Sequence, residues 1–236
     1  MNKIAFVTGA NKGIGYEIAR QLGEAGWTVI LGARSIERGE AAASELRNHG
    51  LSAEFVQIDM TDRASIEQAA DTIQNRYPEL TLLINNAGMP GAFSGSFSDT
   101  KEEHLRNAFE VNFFGTFRLN QQLFPLIRKN EGTIVNVSTD MASLNYMQKF
   151  EHALNAFDYN SSKTANNAMT VAMALELQDS KAQVFAVTPG FTSTDLNGNA
   201  EGGKSKEAGA AIIVGYATDG KRHNGEFLDV NGVFEW

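Results

Sequence analysis

A chain of 236 residues with 42% hydrophobic side chains can bury one sizeable core, and α/β proteins of this length commonly form a single domain, read here as 1–236. It has no cysteine, which excludes disulfides and thiolate metal sites, and its four histidines show no metal-ligand spacing, so no metal is assigned. A formal net charge of -8 disfavours nucleic acid or an anionic membrane as the main partner; no apolar run approaches the ~20 residues that span a bilayer, and no export signal precedes the first strand, so a soluble, cytoplasmic protein is expected.

The first apolar run, Ile4 to Thr8, leads directly into Thr8-Gly9-Ala10-Asn11-Lys12-Gly13-Ile14-Gly15. Ile14, Ile18, Leu22 and Ala25 then recur on one helical face until Gly26 ends it. A glycine-rich turn between strand and helix leaves the helix N-terminus open to a pyrophosphate, which makes Gly9, Asn11, Lys12, Gly13, Ile14 and Gly15 candidate dinucleotide ligands. The spacing is Gly-x-x-x-Gly-x-Gly, not the commonest Gly-x-Gly-x-x-Gly, and an ordinary glycine turn is its plain alternative. A second run, Thr28 to Leu31, ends in Gly32-Ala33-Arg34-Ser35. A carboxylate about 20 residues past the fingerprint would hold a ribose 2'-hydroxyl there, but none occurs before Glu37. Arg34, with Lys12 as a second cation, instead suits a 2'-phosphate and favours NADP(H).

Further short runs follow at Ala53 to Ile58, Leu80 to Ile84, Thr133 to Val137 and Val184 to Val187, the pattern of parallel strands covered on both faces. Helical patterns alternate with them at Ile36 to His49, Asp62 to Arg76, Glu102 to Lys129 and Phe157 to Asp179. This alternation predicts an α/β fold with a doubly wound sheet and right-handed crossovers. After the sixth strand, residues 191–209 are rich in Gly, Ser, Lys and Asn and are expected to form a mobile lid at the carboxyl ends of the strands, where ligands sit.

Within the last helical pattern, Tyr159 stands four residues before Lys163, so the two share a helix face. Moving a phenol from a pKa of about 10 toward 7 takes roughly 4 kcal/mol. One positive charge about 4 Å away, at an effective dielectric near 20, supplies about that amount, although desolvation works against it. An isolated Tyr-x-x-x-Lys reads first as a packed ring beside a solvated lysine, so other residues must decide.

Taken together, the motifs resemble the classical short-chain dehydrogenase/reductase family along essentially the whole chain. The resemblance is carried by Thr8-Gly9-x-x-x-Gly13-x-Gly15, Asp59-Met60 after the third strand, Asn86-Ala87-Gly88 after the fourth, Asn112, Ser138, Tyr159-x-x-x-Lys163, and Pro189-Gly190-Phe191-Thr192-Ser193-Thr194. TGANKGIG at Thr8 to Gly15, ARSIERG at Ala33 to Gly39 and the ending Gly225 to Trp236 are similar to the carbonyl reductase branch. One departure is the stretch between Ser138 and Tyr159, about two helical turns longer than the minimal pattern and shorter than in monomeric carbonyl reductases. It leaves the assembly open among homodimer, homotetramer and monomer.

The resemblance implies a single Rossmann fold, mostly parallel, with strand order 3-2-1-4-5-6-7 and helices on both faces. It also implies that Tyr159 donates a proton to a carbonyl oxygen which Ser138 orients, that Lys163 lowers the Tyr159 pKa and holds the nicotinamide ribose, and that Asn112 holds a water linking Lys163 to solvent. Asp59 and Met60 would contact adenine, Asn86, Ala87 and Gly88 would line the cofactor, and Pro189, Gly190, Thr192 and Thr194 would embrace its nicotinamide end. Phe93, Met141, Tyr146 and Phe191 are candidate pocket walls, although core packing explains isolated aromatics and methionines equally well. The expected activity is NADPH-dependent reduction of an aldehyde, ketone or quinone. A dedicated 3-oxoacyl carrier-protein reductase or hydroxysteroid-type dehydrogenase, and a non-catalytic NADP(H) sensor, are the alternatives.

Overall fold

The computed structural model describes residues 3–92, 95–149 and 156–236. Among them, eight strands form one sheet: β1 Ile4–Thr8, β2 Thr28–Ala33, β3 Ala53–Gln57, β4 Leu82–Asn85, β5 Thr133–Val137, β6 Gln183–Val187, β7 Phe227–Asp229 and β8 Gly232–Val233. Their order is β3-β2-β1-β4-β5-β6-β7-β8, parallel from β3 through β7, with an antiparallel β7–β8 hairpin at the edge. The chain winds outward from β1 through β2 and β3, then returns to β4 on the other side of β1. That reversal opens a crevice between the carboxyl ends of β1 and β4.

Successive residues of the central strands go to opposite faces, which is why their runs are apolar without alternation. On one face Phe6, Ile30, Leu83 and Ile134 pack with Ile66 and Ile73 of α3 (Arg63–Arg76) and Leu119 and Leu123 of α5 (Thr116–Lys129). On the other, Val7, Leu31, Ile84 and Val135 pack with Ile18 and Leu22 of α1 (Gly13–Glu24), Leu46 of α2 (Ile36–Asn48) and Ile213 of α8 (Lys206–Thr218). These side chains are fully buried, and each contributes about 1.5–3 kcal/mol relative to exposure. The ends of α2 and α3 are set by local caps: Ser35 Oγ accepts from Arg38 N at 3.3 Å, and the Asp62 carboxylate from Ala64 N at 2.9 Å.

Three elements differ from the sequence expectation. The pattern from Glu102 to Lys129 is helical throughout, but α4 (Glu102–Phe109) and α5 are joined by a wider π turn, Glu110–Gly115. Asn166 Nδ2 donates to the Asn112 carbonyl at 3.0 Å, taking an acceptor that a regular helix would use itself. Helix α8 begins at Lys206, capped by Ser205 Oγ on Ala208 N at 3.2 Å, so the final residues of the segment read as a mobile lid are helical. Its run Ala208 to Val214 is apolar on all sides and carries no stripe to reveal it. The hairpin strand β8 has two residues, too few to show a period. Helices α6 (Leu144–Lys149) and α7 (Phe157–Glu176) complete the described α-helices, and no helix among the described residues is long and apolar enough to cross a membrane.

Candidate active site

Along the carboxyl ends of the strands runs a cleft of about 1090 Å³. Its walls bring together the sequence candidates Gly9, Asn11, Lys12, Gly13, Ile14, Gly15, Arg34, Asp59, Met60, Asn86, Ala87, Gly88, Ser138, Met141, Tyr146, Tyr159, Lys163, Pro189, Gly190, Phe191, Thr192 and Thr194. Asn112 is buried away from it, and Phe93 lies outside the described residues.

The glycine-rich turn is shaped by two different needs. Gly13 has φ +62° and open space where a Cβ would stand, whereas a Cβ on Gly15 would overlap the Gly9 carbonyl and the Asn86 amide. Asn86 Nδ2 donates to Thr8 O at 2.9 Å and Gly9 O at 3.2 Å, and Thr8 Oγ1 accepts from Asn86 N and Ala87 N at 3.1 and 3.0 Å. The end of β4 therefore clamps the turn after β1. No side chain caps α1 among the described residues, so its first amides point into the cleft with the positive end of the helix dipole. Open space over Gly13 and uncapped amides fit a pyrophosphate.

At the next position along the cleft stand Arg34 and, one helical turn later, Arg38; neither pairs with a carboxylate among the described residues. Arg38 was not singled out from the sequence, although it stands in the first turn of the helix that follows Arg34. Lys12 lines the cleft as well, and its ammonium meets Asp195 Oδ2 at 2.8 Å in an exposed ion pair. The salt bridge joins the glycine-rich turn to the segment after β6. Asp59 serves the local turn as well as lining the cleft, because its Oδ1 accepts from Thr61 N at 2.9 Å and Thr61 Oγ1 at 2.8 Å.

At the opposite end, α7 presents Tyr159 and Lys163 to the end of β5. Lys163 is 4% exposed, and its ammonium donates to the Val137 carbonyl at 2.9 Å. Burial pulls it down to about 8. The Tyr159 phenol is pushed up, first by burial and then by the carboxylate of Asp140. The direction is opposite to the one expected: Lys163 turns to Val137, and the Tyr159 phenol on the cleft wall is shifted upward. Asp140 escaped the sequence reading because its nearness to Tyr159 depends on the turn Asp140–Ala142 that follows β5, where Asp140 N donates to Thr188 Oγ1 at 3.1 Å.

Behind these groups lies a buried amide network. Asn112 Oδ1 accepts from Met89 N at 2.8 Å, and its Nδ2 donates to Met89 O at 3.1 Å and Ser162 Oγ at 3.0 Å. Its side chain therefore holds the loop after β4 against α7, and its carbonyl is occupied by Asn166. Each Asn112 oxygen therefore carries one donor and keeps a second lone pair. Asn167, also absent from the sequence reading, takes a hydrogen bond from Ser138 Oγ at 2.7 Å. Its distance from Ser138 along the chain left no local signal.

Known proteins are similar to this chain in sequence and fold. The chain is 32% identical over 280 aligned positions to carbonyl reductase (NADPH) 1 of Bos taurus, covering 100% of this chain and 99% of that protein. It is 33% identical over 199 residues to 3-oxoacyl acyl-carrier-protein reductase FabG of Aquifex aeolicus, covering 82% and 75%. A variant of actinorhodin polyketide ketoreductase, solved with NADPH, superposes with a TM-score of 0.81 at 28% identity over 97% of this chain and 95% of that one. Since the family model described as short chain dehydrogenase also matches residues 3–204, the chain belongs to that family of oxidoreductases.

Proposed function

We propose that the protein is an NADPH-dependent reductase of aldehydes, ketones or quinones. The observation that carries this reading is one continuous cleft joining the unpaired Arg34 and Arg38, the uncapped start of α1, and the group Ser138, Tyr159 and Lys163. Arg34 and Arg38 would hold the 2'-phosphate, the first amides of α1 the pyrophosphate, and Lys163 the nicotinamide ribose hydroxyls. When bound, NADPH supplies a hydride to the carbonyl carbon.

Tyr159 gives its proton to the carbonyl oxygen as negative charge develops there. A phenol shifted upward by burial and by Asp140 keeps its proton available for this acid step. Ser138 orients the oxygen, and the Lys163 ammonium stabilises the phenolate once it forms. Met141, Tyr146 and Phe191 line the same cleft and would bound the acceptor side.

The test is a panel of aldehydes, ketones and quinones assayed with NADPH and NADH in parallel. Turnover with a preference for NADPH is expected; no oxidation of either cofactor across the panel would sink the reading. The match to the Aquifex aeolicus reductase supports a second reading, a dedicated carrier-linked reductase. Preference for a carrier-linked 3-oxoacyl substrate by orders of magnitude in kcat/KM would select it.

A further inference from the structure

Ser138 and Asn167 are 5% and 4% exposed, and Ser138 Oγ lies 2.7 Å from Asn167 Oδ1. In that arrangement the serine's single proton goes to the asparagine, and only lone pairs remain for the cleft. A substrate carbonyl requires a donor, so a serine held this way does not orient one. The other end of the same amide, Asn167 Nδ2, is buried with no hydrogen-bond partner among the described residues. A half-turn of the amide exchanges its oxygen and nitrogen while leaving every other atom in place. Nδ2 then donates to Ser138 Oγ over the same separation, and the serine proton is released toward the cleft. The exchange also replaces an orphaned buried donor with an unpaired oxygen, which interiors tolerate more readily.

We propose that Asn167 is a positioning residue: its side-chain amide donates to Ser138 Oγ and thereby aims the serine proton at the substrate carbonyl. This rests on the reductase reading above and names a part of its machinery. The placement on α7 supports it. Tyr159, Lys163 and Asn167 stand at successive spacings of four, so one helix face supplies in turn the proton donor, the ammonium and the amide behind Ser138. Asn166 alongside it is fixed on the Asn112 carbonyl at 3.0 Å, so this turn of α7 is tied into the buried network and cannot slide past the end of β5.

The decisive variant is Asn167→Asp, which keeps the shape but offers Ser138 only acceptors when ionised. It should lower kcat for a neutral ketone by on the order of 10–100-fold, the scale of losing one well-aimed donor at a developing oxyanion. NADPH affinity, read by nicotinamide fluorescence, should change less than about twofold, since the cofactor keeps its own contacts. As pH falls and the new carboxyl takes up a proton it can donate, and kcat should recover relative to the unsubstituted enzyme. In a Ser138→Ala background the same substitution should add less than about twofold to the loss in single-turnover hydride transfer, because the pair acts as one unit. An equal loss in both backgrounds, or no loss in the first, overturns the proposal. Should Asn167→Asp fail to accumulate as folded protein, Asn167→Leu goes through the same two backgrounds with the same criteria. Independently of any variant, neutron diffraction on deuterium-exchanged crystals should place the Asn167 amide deuterons toward Ser138 Oγ; deuterons on the far side would refute it. Failure of the underlying reading is distinguishable, because the unsubstituted enzyme would then turn over no carbonyl at all.

Discussion

The two ends of the cleft are built on different principles. At the end lined by Gly13, Arg34 and Arg38, the site consists of strand ends, an uncapped helix start and exposed cations, with Asn86 clamping the turn from the end of β4. At the other end, Ser138, Tyr159 and Lys163 are held by side chains that meet across the sheet, such as Asn112 on Met89 and Ser162, and Ser138 on Asn167. A backbone cradle tolerates change of side chain wherever φ and space allow, whereas a buried amide network is sensitive to single atoms, because each unpaired group costs about 1–3 kcal/mol. The catalytic end is therefore expected to fail by chemistry and the adenosine end by affinity.

The largest test of that contrast is Tyr159→Phe. Losing the proton donor should reduce kcat by on the order of 10²–10⁴-fold while NADPH binding stays within about twofold. An equal loss of binding would show that the two ends are not separable. Next comes Lys163→Met, which should trade activity for stability. A base whose folded value is depressed from 10.5 to about 8 makes its full stabilising contribution only above about 10.5, and loses it as pH falls through 8. At about 1.4 kcal/mol per pH unit, the charged lysine costs about 3 kcal/mol at pH 7, so the methionine variant should be more stable there by up to that amount. Denaturant titration at pH 7 and pH 10 checks it: the advantage should shrink as pH rises, and a constant or absent advantage contradicts the assigned burial cost.

At the other end, Arg34→Asp should move the KM ratio from NADPH toward NADH by roughly 10-fold or more, the effect of a charge-assisted bidentate contact, while kcat with saturating cofactor changes little. An unaltered ratio removes Arg34 from the phosphate site and leaves Arg38 to hold it. The smallest expected effect is that of Asp140→Asn. Removing this carboxylate should lower the apparent pKa of Tyr159 in the pH profile of alcohol oxidation, with no change in NADPH affinity. A profile that stays put would mean that burial alone holds the phenol protonated.

The contrast also explains what could be read without coordinates. Thr8 to Gly15 is legible because a strand, a turn and a helix start leave their marks within eight consecutive positions, and Tyr159 with Lys163 is legible because helix periodicity joins them. Arg38 lay within reach of the same reasoning. By contrast, the engagement of Lys12 by Asp195 joins residues 183 positions apart, and Asp140 reaches the neighbourhood of Tyr159 only through the turn after β5. The π turn around Asn112 depends on an amide donated from α7, so the helical pattern from Glu102 to Lys129 gave no sign of it.

By itself, the sequence determined the alternation of strand and helix, the glycine-rich turn and the candidates for the reacting side chains, since these follow from local periodicity and from residue chemistry. Only the tertiary structure decided which partner each polar group takes. That choice decided that Lys163 turns to Val137, that burial and Asp140 shift the Tyr159 phenol upward, and that Ser138 meets Asn167. The physical reason is that burial penalises unpaired charges and donors far more than it penalises any local conformation, and burial is set by packing across the whole sheet.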